Sequence, residues 1–228
     1  MTLVLVAHGS RDPGGTAVVR RIAAAVRERL GRVPVRVAYA DVARPTVGEV
    51  LRGLGGPTVV VPAFLAAGYH VRVDVPGQVA ASVRPDAVVT PPLGPHPALV
   101  AAAVERLRAV GLRPGDGVVL AAAGSTDPRA LADVQRAARL LSAWTGERVR
   151  TAYATTAEPG VADAVAALRA ERRRVVLASW LLAPGAFHRV LLGAGADAVA
   201  EPLGAHTRVV DLVVRRYLDA RCYRDWAA

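Results

Sequence analysis

The chain has 228 residues, 53% of them hydrophobic, enough to bury one or two sizeable cores. All 29 basic residues are arginine against 19 acidic ones, and the resulting +10 charge favours an anionic partner such as a polycarboxylate or a phosphate. Nucleic acid is disfavoured, because the arginines are scattered along helical segments, Arg172-Arg173-Arg174 is the longest run, and no reader motif is present.

The N-terminal run Met1-Thr2-Leu3-Val4-Leu5-Val6 has no basic n-region and meets His8 at once, so it reads as a buried first strand and not as a signal peptide. No apolar run reaches the length of a membrane span, and a cytoplasmic location is expected. A lone cysteine, Cys222, excludes an internal disulfide and any cysteine-built zinc or iron–sulfur site. Strands are predicted at 2–7, 34–39, 57–63 and 86–90, then at 117–122, 148–153, 174–179 and 197–200. Their continuous apolar character suits parallel strands covered on both faces. Helices are predicted at 15–30, 97–110, 128–145, 159–172 and 206–221. In the first of these, Val18, Ile22, Val26 and Leu30 recur every fourth residue, while Arg20, Arg21, Arg27 and Arg29 take the outer face.

The second set of elements repeats the first. Val6-Ala7-His8-Gly9-Ser10-Arg11-Asp12-Pro13 returns as Ala121-Ala122-Ala123-Gly124-Ser125-Thr126-Asp127-Pro128, with five of eight positions identical. Residues 35–45 return as 149–159 with seven of eleven identical, and Pro92-Leu93-Gly94-Pro95-His96 returns as Pro202-Leu203-Gly204-Ala205-His206. The chain therefore divides by repeat into 1–114 and 115–228. Each half reads βαβαβαβ, an α/β domain with a four-stranded parallel sheet, helices on both faces and the flavodoxin-like strand order 2-1-3-4.

In such a sheet, ligands bind outside the carboxyl ends of the strands, where the order reverses. His8 follows the first strand, Asp41 the second, and Phe64-Leu65-Ala66-Ala67-Gly68-Tyr69-His70 the third, so three potential metal ligands converge on one rim. The repeat puts Ala123 at the position of His8, so the fold does not need that histidine; a chemical role is the better reading. Asp41 is replaced by Thr155 and reads equally as a ligand or as a turn residue. His70 reads as a ligand through its convergence with His8, although His188 stands near the matching place in the second half. Two histidines and one carboxylate around open positions suit ferrous iron or a similar divalent ion, and they fall short of the four ligands of a structural zinc site. Ser10-Arg11-Asp12-Pro13 reads either as an anion-binding loop or as a turn and helix cap. Ser125, Asp127 and Pro128 persist in the repeat while Arg11 becomes Thr126, which makes Arg11 the functional member. His96 and His206 occur in both halves just before helices, a pattern of local structural use.

The run His8-Gly9-Ser10-Arg11-Asp12, the acidic Asp41 before Ala43-Arg44-Pro45, the loop ending in His70, and Pro92-Leu93-Gly94-Pro95-His96-Pro97 together resemble the sirohydrochlorin chelatases, over nearly the whole chain. The resemblance implies two tandem flavodoxin-like domains, the first carrying the metal site and the second a degenerate one. It implies insertion of Fe²⁺ into sirohydrochlorin in siroheme biosynthesis, or of Co²⁺ on the route to cobalamin, with no cofactor beyond the metal substrate. His8 and His70 would bind metal and handle protons, and Asp41 would assist from a side chain one methylene shorter than the family's usual Glu. Ser10, Arg11 and Arg72 would bind the anionic macrocycle. Two other classes fit His8 alone: a histidine-dependent phosphohydrolase, which Ala7 disfavours because histidine phosphatases carry an arginine there, and a non-catalytic carrier of metal or tetrapyrrole.

Overall fold

The computed structural model describes residues 1–84, 86–172 and 174–226, with side chains described as far as Cys222; Arg173 of the arginine run lies outside the described residues. Among the described residues, eight strands form two parallel sheets of four. The first holds β1 (Thr2–Ala7), β2 (Val35–Tyr39), β3 (Thr58–Pro62) and β4 (Val88–Val89) in the order β2-β1-β3-β4. The second holds β5 (Gly117–Ala122), β6 (Val149–Tyr153), β7 (Val175–Trp180) and β8 (Ala198–Val199) in the order β6-β5-β7-β8. Both orders are the 2-1-3-4 arrangement expected from right-handed crossovers. The long helices also fall where the periodicity puts them: α1 (Pro13–Leu30), α4 (Pro97–Ala109), α5 (Pro128–Thr145), α6 (Val161–Arg169) and α8 (Thr207–Trp226).

Four shorter elements sit in the gaps: α2 (Val47–Arg52), a π-helical turn over His70–Asp74 that runs straight into α3 (Val75–Ala80), and α7 (Ala186–Leu192). Each is too short to display a helical period in sequence. A capping box fixes the start of α2, where the Thr46 hydroxyl accepts from the Glu49 N–H and the Glu49 carboxylate accepts from the Thr46 N–H. The starts of α1 and α5 use one device twice. The Ser10 hydroxyl accepts from Asp12 N–H and the Asp12 carboxylate from Gly14 N–H; Ser125 and Asp127 do the same for Asp127 N–H and Arg129 N–H. That shared role explains why serine, aspartate and proline survive in both copies.

The compact units do not follow the repeat boundary between 114 and 115. One comprises Met1–Leu93 with Ala205–Ala228, the other Gly94–Gly204. Each repeat gives up its last helix. In the first unit α8 packs on α1 and β3, tied by the Tyr217 hydroxyl donating to the Met1 carbonyl at 3.0 Å and by Arg29–Asp211 at 2.5 Å. In the second unit α4 packs on α5 and β7, and Arg174 anchors the following turn through the Val110 and Gly111 carbonyls and buried Asp116. The other face of the first sheet is sealed by Val47, Leu51, Val75 and Val79 from α2 and α3 against Val4, Val6, Ala38 and Val60. Val161, Val165, Leu168 and Leu191 seal the second sheet in the same way.

Candidate metal centre

The carboxyl end of the first sheet builds the site. Beyond the last β1–β2 pair, the ladder is prolonged by Ala40 N–H to the Ala7 carbonyl at 2.9 Å and Asp41 N–H to the His8 carbonyl at 3.1 Å. These two bonds hold the loops bearing His8 and Asp41 side by side. Gly9 makes the approach possible: it adopts φ +102, and a Cβ there would meet the Ala43 backbone nitrogen at 2.8 Å. On the other side of β1, β3 delivers Phe64 and then the π turn that begins at His70.

The ligand atoms of His8, Asp41 and His70 lie within 4.8 Å of one another, the one such group of three among the described residues. The two imidazoles meet edge to face with centroids 4.5 Å apart. Phe64 stacks near His70 at 6.4 Å and sits 6.4 Å from His8, giving both rings an apolar backing. Two ligands about 2.1 Å from one ion stand about 3.4 Å apart at a tetrahedral angle, so a pair at the 4.8 Å limit would close by about 1.4 Å on binding. His8 and Asp41 are exposed and His70 half-buried, so the space between the three side chains is open to solution. Loss of hydration lowers the His8 pKa below its ordinary value; the neighbouring His70 acts in the same direction and the Asp41 carboxylate in the opposite one. The shift favours the neutral imidazole of His8, the form that can coordinate a metal.

The remaining expected site residues are placed differently. Ser10 spends its acceptor on the α1 cap. Arg11 is exposed, and exposed Arg72 anchors its Nε on the Ala67 carbonyl at 2.7 Å, which keeps its guanidinium beside the His70 loop. His188 does not reproduce His70. Strand register relates Thr58 to Val175, an offset of 117, so residue 70 + 117 = 187 is the equivalent, and Phe187 is exposed there. His188 is only 6% exposed within α7, with its Nε2 lacking a hydrogen-bond partner. The second unit thus offers Ala123, Thr155 and Phe187 where the first offers His8, Asp41 and His70. Sequence reading gave no role to Asp74, whose carboxylate lies 2.5 Å from His70 Nδ1; the i,i+4 spacing of the two residues was the available signal.

The CbiX family matches residues 2–110 and again 117–220, once for each repeat. The chain belongs to the CbiX family. Among relatives of this CbiX-family protein, the sirohydrochlorin cobaltochelatase of Methanosarcina barkeri is 35% identical over 78 residues, covering 32% of this chain and 60% of that relative. SirB from Bacillus subtilis, solved with Fe3+, superposes with a TM-score of 0.77 at 22% identity, covering 96% of this chain and 95% of SirB, which shows the shared fold. A structure described as CbiX, the terminal enzyme for biosynthesis of siroheme in denitrifying bacteria, gives a TM-score of 0.73 at 26% identity over 96% of this chain and 99% of its own.

Proposed function

We propose that this protein inserts a divalent metal ion, Fe²⁺, into sirohydrochlorin in siroheme biosynthesis. The observation that carries the reading is the open trio of His8, Asp41 and His70 at the switch point of the sheet. Three protein ligands without a fourth hold an ion firmly enough to shed water and loosely enough to pass it to four macrocycle nitrogens. The step balances as metal(II) plus free-base macrocycle giving metallated macrocycle and two protons. Neutral imidazole accepts a pyrrole proton, and the lowered pKa keeps His8 in that form. Exposed Arg11 and Arg72 are assigned to the carboxylates of the macrocycle, and the Ser10 hydroxyl, which uses its oxygen as the cap acceptor, still has its O–H to donate to one of them. Support for iron comes from the siroheme-forming structural relative, which matches along almost the entire chain. Co²⁺ insertion on the way to cobalamin is the second reading, since histidine and carboxylate accept both ions.

The test is anaerobic mixing of the pure protein with sirohydrochlorin and either Fe²⁺ or Co²⁺, following the macrocycle absorbance. Multiple turnovers are expected, with Fe²⁺ giving the higher kcat/KM, and with His8→Ala and His70→Ala each abolishing the reaction. Stoichiometric binding without turnover would make the protein a carrier and overturn the proposal. Near-normal rates in either variant would remove the trio from the chemistry.

A further inference from the structure

We infer that Asp74 and Gln78 are positioning residues of the metal centre: with His70 they form one row, four residues apart, that sets the ligands in place from a single helical element. The inference rests on the reading of the trio as a site for a divalent ion. The π turn closes with the Val75 N–H donating to the His70 carbonyl, and α3 continues without a break. Its rotation is pinned by the adjacent row, Val71, Val75 and Val79, all buried, with Val75 and Val79 in the core cluster under the sheet. Residues 72, 73, 77 and 80 form the exposed side. His70, Asp74 and Gln78 are half-buried between these two faces, turned to the edge of the site.

Each member of the row does a different thing. His70 is the ligand. The Asp74 carboxylate accepts from His70 Nδ1 at 2.5 Å, which fixes the tautomer and leaves Nε2 with its lone pair for the ion. Gln78 donates its side-chain N–H to the Ala40 carbonyl at 2.8 Å, one residue before Asp41. Ala40 and Asp41 are in turn bonded to Ala7 and His8. One helical element therefore reaches both sides of the site: Asp74 holds the His70 ring, and Gln78 holds the Ala40 carbonyl next to Asp41, whose own N–H is bonded to the His8 carbonyl. π turns recur at functional sites because the extra residue re-aims a side chain.

The internal repeat supplies an independent comparison. The cap that starts the first long helix of each copy serves the fold, and it persists in both, as Ser10–Asp12 and Ser125–Asp127. The corresponding stretch of the second copy, residues 186–195, contains no carboxylate and no side-chain amide that could stand in for Asp74 or Gln78. The second copy lacks both clamps together with the three ligands. The clamps thus go with the ligands and not with the sheet.

The experiment uses the full chain and Co²⁺ alone, without macrocycle, titrated anaerobically by its visible absorption. Asp74→Ala should weaken Co²⁺ binding roughly ten- to hundredfold, and Gln78→Leu by roughly tenfold, as is typical when a ligand's orienting partner is lost. Asp74→Asn, which keeps an acceptor for Nδ1–H, should fall between wild type and Asp74→Ala. A nitrogen-15 spectrum of the metal-free protein should show His70 with its proton on Nδ1 in the wild type and a mixture of tautomers in Asp74→Ala. Unchanged Co²⁺ affinity in Asp74→Ala, or a wild-type His70 protonated on Nε2, overturns the inference. The nitrogen-15 result on the wild type decides the matter even if Asp74→Ala does not fold. Failure of the metal-centre reading itself is separately visible: the wild type then binds no Co²⁺, or His8→Ala binds it equally well.

Discussion

Replacing Gly9 with alanine tests the close approach that brings His8 and Asp41 together. A Cβ at Gly9 would lie 2.8 Å from Ala43 N and 3.2 Å from Val42 N, where ordinary contact begins at 3.4 Å, so the 42–43 backbone must retreat by 3.4 − 2.8 = 0.6 Å. Asp41 immediately precedes that backbone and is bonded to the His8 carbonyl. A shift of this size exceeds the roughly 0.5 Å within which a binding constellation must be held. The positive φ of +102 adds strain on the order of 1–3 kcal/mol for a residue with a side chain. At roughly 2–4 °C per kcal/mol for a protein of this size, the melting temperature should fall by about 2–12 °C. Co²⁺ affinity, read by visible absorption, should fall by about tenfold or more. Gly124→Ala is the internal control. It meets the Thr155 carbonyl oxygen at 1.8 Å, a deficit of 3.4 − 1.8 = 1.6 Å, in a unit without the trio. It should cost more stability than Gly9→Ala yet leave Co²⁺ affinity intact below its own melting transition. Wild-type affinity in Gly9→Ala, or equal loss in the two variants, would refute the reasoning.

Three further outcomes are expected. A proton NMR titration of His8 in the metal-free protein should give a midpoint below 6.5; because the unfolded chain holds that proton more tightly, stability should decline as pH falls from about 6.5 through the folded value, and a midpoint above 6.5 would contradict this. His188→Ala should lower the melting temperature through loss of a buried side chain, on the order of 1–3 kcal/mol, with Co²⁺ affinity unchanged; a variant as inactive as His8→Ala would return His188 to the chemistry. A chain ending at residue 114 lacks α8 over β3 and α1 and carries α4 without its sheet, so it should show no cooperative melt, whereas 1–93 joined by a flexible linker to 205–228 should; cooperative melting of 1–114 would refute the exchange.

Much of this protein was legible along the chain. The duplication, the eight strands and the 2-1-3-4 order follow from apolar runs of fixed length and from the handedness of crossovers, which are local properties. The convergence of His8, Asp41 and His70 follows as well, because each stands just past a strand end and parallel strands bring those ends to one rim. The exchange of α4 and α8 was decided only in three dimensions: an amphipathic period shows that a helix is buried but not which sheet covers it. His188 was settled by register, since one residue along α7 separates exposed Phe187 from a buried ring. The Asp74 and Gln78 contacts depend on the π turn and on the loop at Ala40, 38 residues away from Gln78 in sequence. Hydrogen bonds of that kind carry no periodic trace, because they join particular atoms of remote segments and exist only once the core has fixed the rotation of the helix that bears them.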